Sequence, residues 1–169
     1  TAQMAALTTT QVGALTNAQV IALTTGQAAA LTTDQVQALS TAQLVQVETT
    51  DLVAMKTAQV AALTTTQVKV LTVPQVGALT TAQVAGLTTD QVAALTTAQI
   101  VGLTTAQASA LTTLGVGALS TAQLVAVETT DLAAMKTAQI AALTTTQVGA
   151  LTTNQVVGLT TGQAAALTT

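Results

Sequence analysis

Cysteine, histidine, phenylalanine, tyrosine and tryptophan are all missing from the 169-residue chain, and it carries a single proline. Without cysteine there is neither a disulfide framework nor a thiolate metal site. Without histidine, the commonest general base and the commonest transition-metal ligand are gone. Charge is scarce as well: three lysines and six carboxylates give a net charge of -3, and charged residues make up 5 % of the chain. Lys56, Lys69 and Lys136 are too few and too scattered for a nucleic-acid footprint. Threonines abound, but no base is available to turn one into a nucleophile. No enzyme is expected, and no cofactor.

Long apolar runs are also absent. Thr-Thr and Gln interrupt the apolar residues in nearly every eight, so nothing approaches the ~20 residues of a membrane-spanning helix, and no membrane insertion is expected. Disorder is excluded from the other side. Disordered chains are charged and poor in Val, Leu and Ile, whereas half of this one is hydrophobic.

What is present is one octapeptide, repeated. In "LTTAQVAGLTTDQVAALTTAQIVGL" (79–103) leucine returns every eighth residue, two threonines follow it, and glutamine stands four places on. With leucine as position 1, the pattern runs from Leu7 to Leu167 in 21 occurrences without an insertion or deletion. Position 3 is threonine in 19 of 21 cases and position 5 glutamine in 18 of 21, so both are constrained. Position 6 is always aliphatic, and position 8 is nearly always Ala or Gly. Positions 4 and 7 vary freely, taking Asp34, Pro74, Asp90 and Leu114 at one and Gln37, Lys69 and Ser109 at the other.

The constrained positions choose the backbone. A continuous helix turns about 100° per residue, so the leucine would rotate by roughly 80° per octad, too fast for any coiled coil. A strand puts leucine and valine on opposite faces and splits the two variable positions between them. A short helix from position 4 to the next leucine gathers positions 4 and 7 on one side and glutamine, valine and leucine on the other. The expected fold is therefore all-α: an elongated superhelical solenoid of very short capped helices, one per octad, with a Thr/Val β-solenoid as the alternative. The residues that carry this frame in the quoted stretch are Leu79, Thr81, Gln83, Val84, Leu87, Thr89, Gln91, Val92, Leu95, Thr97, Gln99 and Ile100.

Two capping registers are open. Threonine at position 3 (Thr81, Thr89, Thr97) is a good N-cap; it would put Pro74 at the first helical residue and Asp34 and Asp90 against the helix dipole. Threonine at position 2 would instead make T-T-A-Q a capping box, with glutamine reaching back. Glu48, Lys56, Glu128 and Lys136 occupy position 2 and are poor caps, so position 3 is preferred. Glutamine is left to form a ladder, each side chain bonding the backbone or threonine of the adjacent unit.

The same four residues form opposite-sign pairs eight apart, Glu48 with Lys56 and Glu128 with Lys136. They are expected as inter-repeat ion pairs between stacked consecutive octads. The motif E-T-T-D, Glu48–Asp51 and Glu128–Asp131, sets two carboxylates three apart. Calcium wants six to eight oxygens, so the simpler expectation is that aspartate substitutes for glutamine in the ladder and no metal is held.

A larger period lies on top: residues 39–72 return at 119–152, ten octads later, with differences at only 46/126, 53/133, 60/140, 69/149 and 70/150. If that duplication keeps superhelical phase, one, two, five or ten octads per turn are compatible and three are not. The whole of 1–169 reads as one array. It begins and ends mid-octad, and the expectation is a piece of a longer chain.

The pattern, [IL]-[ST]-T-x-Q-[IV]-x-[AG], resembles the octapeptide tracts of very large bacterial secreted or surface proteins of the adhesin and exoprotein type, over the whole chain. The resemblance implies a stalk or spacer in a secreted or cell-surface setting. The expected role is a structural module that acts as stalk, spacer or self-assembling scaffold, associating with itself end to end or laterally. The alternative is a regular threonine array that binds a repetitive surface such as ice or crystalline polysaccharide.

Overall fold

Each octad becomes one helix. The computed structural model describes residues 2–167, and among them it contains 21 helices of four to six residues and no strand. The all-α expectation holds and the β-solenoid does not.

The helix Thr89–Ala94 shows how the octad folds. Thr88 is extended, with φ −70° and ψ 160°, and six helical residues follow. Leu95 then returns to an extended conformation at φ −58° and ψ 140°. Two extended residues, Leu95 and Thr96, thus link this helix to the next; after five-residue helices such as Thr81–Ala85 a right-handed helical residue, Gly86, precedes the pair. None of the described residues has a positive φ, so the turn needs no left-handed residue. Backbone conformation therefore demands glycine at none of the described positions.

A six-residue helix is unstable alone, because nucleation is costly and few bonds repay it. Stability comes from stacking. Thr89–Ala94 packs against Thr65–Val70 and Thr113–Ala118, the third helix before it and the third after. The same third-neighbour rule runs the length of the chain. The side chains that meet inside are Leu or Met at position 1 and Val, Ile or Leu at position 6. Leu79, Leu87, Leu95, Val84, Val92 and Ile100 are all buried in one continuous core. Positions 4 and 7 face outward, as their variability predicts.

Position 8 is small because the turn below approaches there. A Cβ built on Gly86 would collide with the Thr57 methyl, and one on Gly102 with the Val73 side chain. Both neighbours are position-3 residues 29 places earlier.

Two expectations need correction. Successive octads are not the stacked ones: Glu48 and Lys56 cap consecutive helices, Thr49–Ala54 and Thr57–Ala61, each of which packs on third neighbours. Nor does the turn hold one, two, five or ten octads. Helices pack three octads apart and side chains bond 28 and 31 residues apart, so a turn closes between three and four. The duplication needs no special phase, since every octad meets the same surroundings.

Candidate functional site: the glutamine ladder

The position-5 glutamine carries the polar chemistry of the molecule, and it does two jobs. The first is local. In the octad of Gln91, the Thr88 backbone N–H donates to Gln91 Oε1 at 2.9 Å, and the Gln91 backbone N–H donates to Thr88 Oγ1 at 3.2 Å. This reciprocal pair is a capping box, which satisfies two donors that a helix start leaves free. The same box forms around Gln83 with Thr80 and around Gln99 with Thr96.

The N-cap is therefore position 2, not position 3. Thr81, Thr89 and Thr97 are the first helical residues and lie exposed. Pro74 falls at the second helical residue, where the missing N–H is still one that the helix does not use. The preference for position 3 rested on Glu48, Lys56, Glu128 and Lys136 being poor caps. They are indeed poor: Glu48 and Glu128 make no side-chain cap bond, and a lysine ammonium has no lone pair to accept one. At Lys56 only the glutamine half of the box survives, its N–H donating to Gln59 Oε1 at 2.6 Å.

The second job spans the superhelix. Gln91 Nε2 donates to the carbonyls of Leu63 at 2.6 Å, Ala61 at 3.1 Å and Val60 at 3.2 Å. These lie at the C-terminal end of the helix Thr57–Ala61, where the last carbonyls run out of α-helical partners, although Val60 also accepts from the Leu63 N–H at 3.1 Å. Every position-5 glutamine from Gln35 to Gln163 repeats the contact, 2.6–2.9 Å to the carbonyl 28 residues back and 2.8–3.3 Å to the one 31 back. The ladder expected from the sequence is real, but its rungs join successive turns and not successive octads. One side chain, 2 % exposed at Gln91, thus starts its own helix with its carbonyl oxygen and ends a distant one with its amide. Neither Glu nor Asn could do both: the first lacks the donor, the second the length.

Three octads depart from the rule. Gly115 replaces glutamine in the helix Thr113–Ala118, so the Thr112 hydroxyl caps alone, accepting from Gly115 N–H at 3.0 Å. The neighbouring Leu114 is 73 % exposed, the most exposed leucine on the surface. Asp51 and Asp131 also stand in the glutamine position, fully buried. An ionised carboxylate only accepts, so it cannot donate to a carbonyl and forms no rung; the expected simple substitution within the ladder fails on donor chemistry. At Asp131 the Thr105 hydroxyl donates to Oδ1 at 2.7 Å. At Asp51, Oδ2 is buried without any partner. Burial, and then the nearby Glu48 carboxylate, push the Asp51 carboxyl above the usual carboxylate range.

A surface groove of about 600 Å³ lies beside Lys69, lined by residues such as Thr65, Thr96 and Ser120. It gathers no nucleophile with a base. No group of three or more acidic side chains capable of holding a metal occurs among the described residues. No helix of the described residues is long and apolar enough to cross a membrane.

Comparison with known proteins gives one relationship. The ALTTAQ repeat family model matches five times, at residues 44–81, 77–105, 84–121, 124–161 and 142–169, which together cover well over half of the chain. No curated protein and no solved structure matches.

Proposed function

The chain belongs to the ALTTAQ repeat family, and from that premise we propose that it is a non-catalytic structural module, a stalk, spacer or self-assembling scaffold. The observation that carries this reading is the ladder itself. Nearly every octad adds one glutamine in its capping box and one slice of core of the same kind as the last. Stability then grows with repeat number, as in other solenoids, and length becomes the quantity such a chain controls. The outward face is mostly threonine and alanine and carries little charge, which suits a spacer better than a site.

Self-association is part of the proposal. A net charge of only -3 over 169 residues leaves little electrostatic repulsion to hold such rods apart. A secreted or cell-surface bacterial setting belongs to the same proposal, supported by the resemblance to adhesin-type tracts.

Small-angle scattering on chains of 11, 21 and 31 octads tests it. A rod whose length rises linearly with octad number, with end-to-end oligomers at high concentration, is the expected result; a compact particle of constant width-to-length ratio would refute it. A second reading rests on one observation: the position-3 threonines, such as Thr65, Thr89 and Thr113 on three stacked helices, are exposed and leave their hydroxyls outside the capping boxes. Such a row could match a repetitive surface. Thermal hysteresis that disappears when these threonines become lysine would favour it over a pure spacer.

A further inference from the structure

The two E-T-T-D octads lose the amide donor and gain negative charge at the same point, and the space this creates has a definite chemistry. Elsewhere the glutamine amide nitrogen sits within 2.6–2.9 Å of the carbonyl oxygen 28 residues back. In the octad of Asp51 that carbonyl belongs to Leu23, with Val20 in the position 31 back. The helix Thr49–Ala54 packs on Thr25–Ala28 as the rule requires. Aspartate is one methylene shorter than glutamine, so its carboxylate stops short of the amide position. By the register of the repeat, that position adjoins Asp51 Oδ2, buried and without a partner, and the two carbonyls that have no glutamine to accept from. Thr25 holds the octad position that Thr105 holds in the second copy, where the Thr105 hydroxyl donates to its aspartate at 2.7 Å. Glu48 is close enough to repel a charge on Asp51. The two helices packed on Thr49–Ala54, which are Thr25–Ala28 and Val73–Ala78, contribute no titratable or cationic side chain.

A site of carboxylate, carbonyl and hydroxyl oxygens that lacks the glutamine amide and holds no cationic side chain calls for a hard cation. We propose that each E-T-T-D octad binds calcium in the place of the missing glutamine amide. In the first copy the ligands are the Asp51 carboxylate, the Leu23 and Val20 carbonyls and the Thr25 hydroxyl, with Glu48 reaching in from the rim and water completing the shell. In the second they are Asp131, the Leu103 and Ile100 carbonyls, Thr105 and Glu128. The distances suit the ion: calcium–oxygen bonds of about 2.3–2.6 Å need only a slight contraction around the point the amide nitrogen occupies elsewhere, and calcium accepts mixed carboxylate, carbonyl and water ligands. Magnesium, which demands tighter octahedral geometry, binds more weakly. The ion then makes an electrostatic rung where the ladder has no glutamine amide, and it does so only when calcium is present.

Equilibrium dialysis and calorimetry of the whole chain with calcium chloride test the proposal, with potassium chloride at matched ionic strength as the blank. About two saturable sites per chain and a Tm raised by several degrees are expected. D51Q/D131Q restores both rungs, folds at least as well as the parent, and loses both binding and the Tm response. Absence of saturable calcium binding in the parent overturns the proposal, since the pocket is then filled by water or a proton. Binding that survives in D51Q/D131Q overturns it too, by placing the ion elsewhere.

Discussion

Gln91 holds five hydrogen bonds through one residue: two within its capping box and three across to the turn below. Truncation to alanine strands the carbonyls of Leu63 and Ala61 and the Thr88 N–H at once. A buried polar group left without a partner costs about 1–3 kcal/mol, so Gln91→Ala should lower stability by about 3 kcal/mol, read as a shift in urea midpoint. Gln91→Glu should do more damage at neutral pH, because it sets a buried charge against carbonyl oxygens. Gly115 offers the reverse experiment. Its Cβ position has 3.2 Å clearance from both the Thr112 hydroxyl and Val92, so the Val92 side chain must give by a few tenths of an ångström. Gly115→Gln should add a rung and remove a helix glycine, a gain of about 1–2 kcal/mol, visible as a higher denaturation midpoint. If the variant is less stable, the slot at Val84 and Leu87 is not open to an amide.

The Asp51 carboxyl makes a prediction of unusual sign. Its pKa is raised in the folded chain by burial and by Glu48, so the folded state binds the proton more tightly than the unfolded state does. The stabilisation is then complete below the unfolded carboxylate range and is lost as pH rises through the raised value, opposite to a salt-bridged aspartate. With a chelator present, the Tm of the parent should exceed its neutral-pH value in mildly acidic buffer, relative to D51Q/D131Q followed over the same range. Equal pH profiles for the two proteins would contradict the assignment.

At the scale of the helix, the capping register is the decisive feature and the most easily checked. Thr80 is extended and accepts from Gln83 N–H, while Thr81 is the first helical residue and exposed. Thr80→Ala should cost about 1 kcal/mol, the usual worth of an N-cap, and Thr81→Ala close to nothing. The reverse order would restore the other register. This is also where the sequence was hardest to read. Period, helix length and the inward faces of Leu, Val and Gln follow directly from which positions vary. The register did not, because both threonines are good caps, and four charged residues at position 2 argued against the right one. Those octads tolerate poor caps because stacking, not capping, holds the helix. The partner of each rung was illegible for a different reason: periodicity says that units stack but carries no information on how many make a turn. Asp51 and Asp131 did stand out as departures, yet the carbonyls that surround them belong to residues 28 and 31 places away, which no local pattern connects.

At the scale of the molecule, every octad is interchangeable with every other so long as the count of eight is kept. Deleting Leu87–Ala94, one full octad, should leave a folded chain with an unchanged helical circular dichroism signal per residue. Deleting only four residues, Leu87–Asp90, should break the register of every rung that crosses the cut and lower cooperativity sharply. Each glutamine ties together residues no more than 31 apart, and no side-chain hydrogen bond among the described residues reaches further.

That short reach has a mechanical meaning. Pulled from its two ends, the rod has nothing that clamps it globally. It would unspool one turn at a time from an end, releasing about 100 Å of slack for every ~28 residues freed, and rewind when the load falls. The same glutamines that set its girth at rest would make it a spring with many small, equal steps.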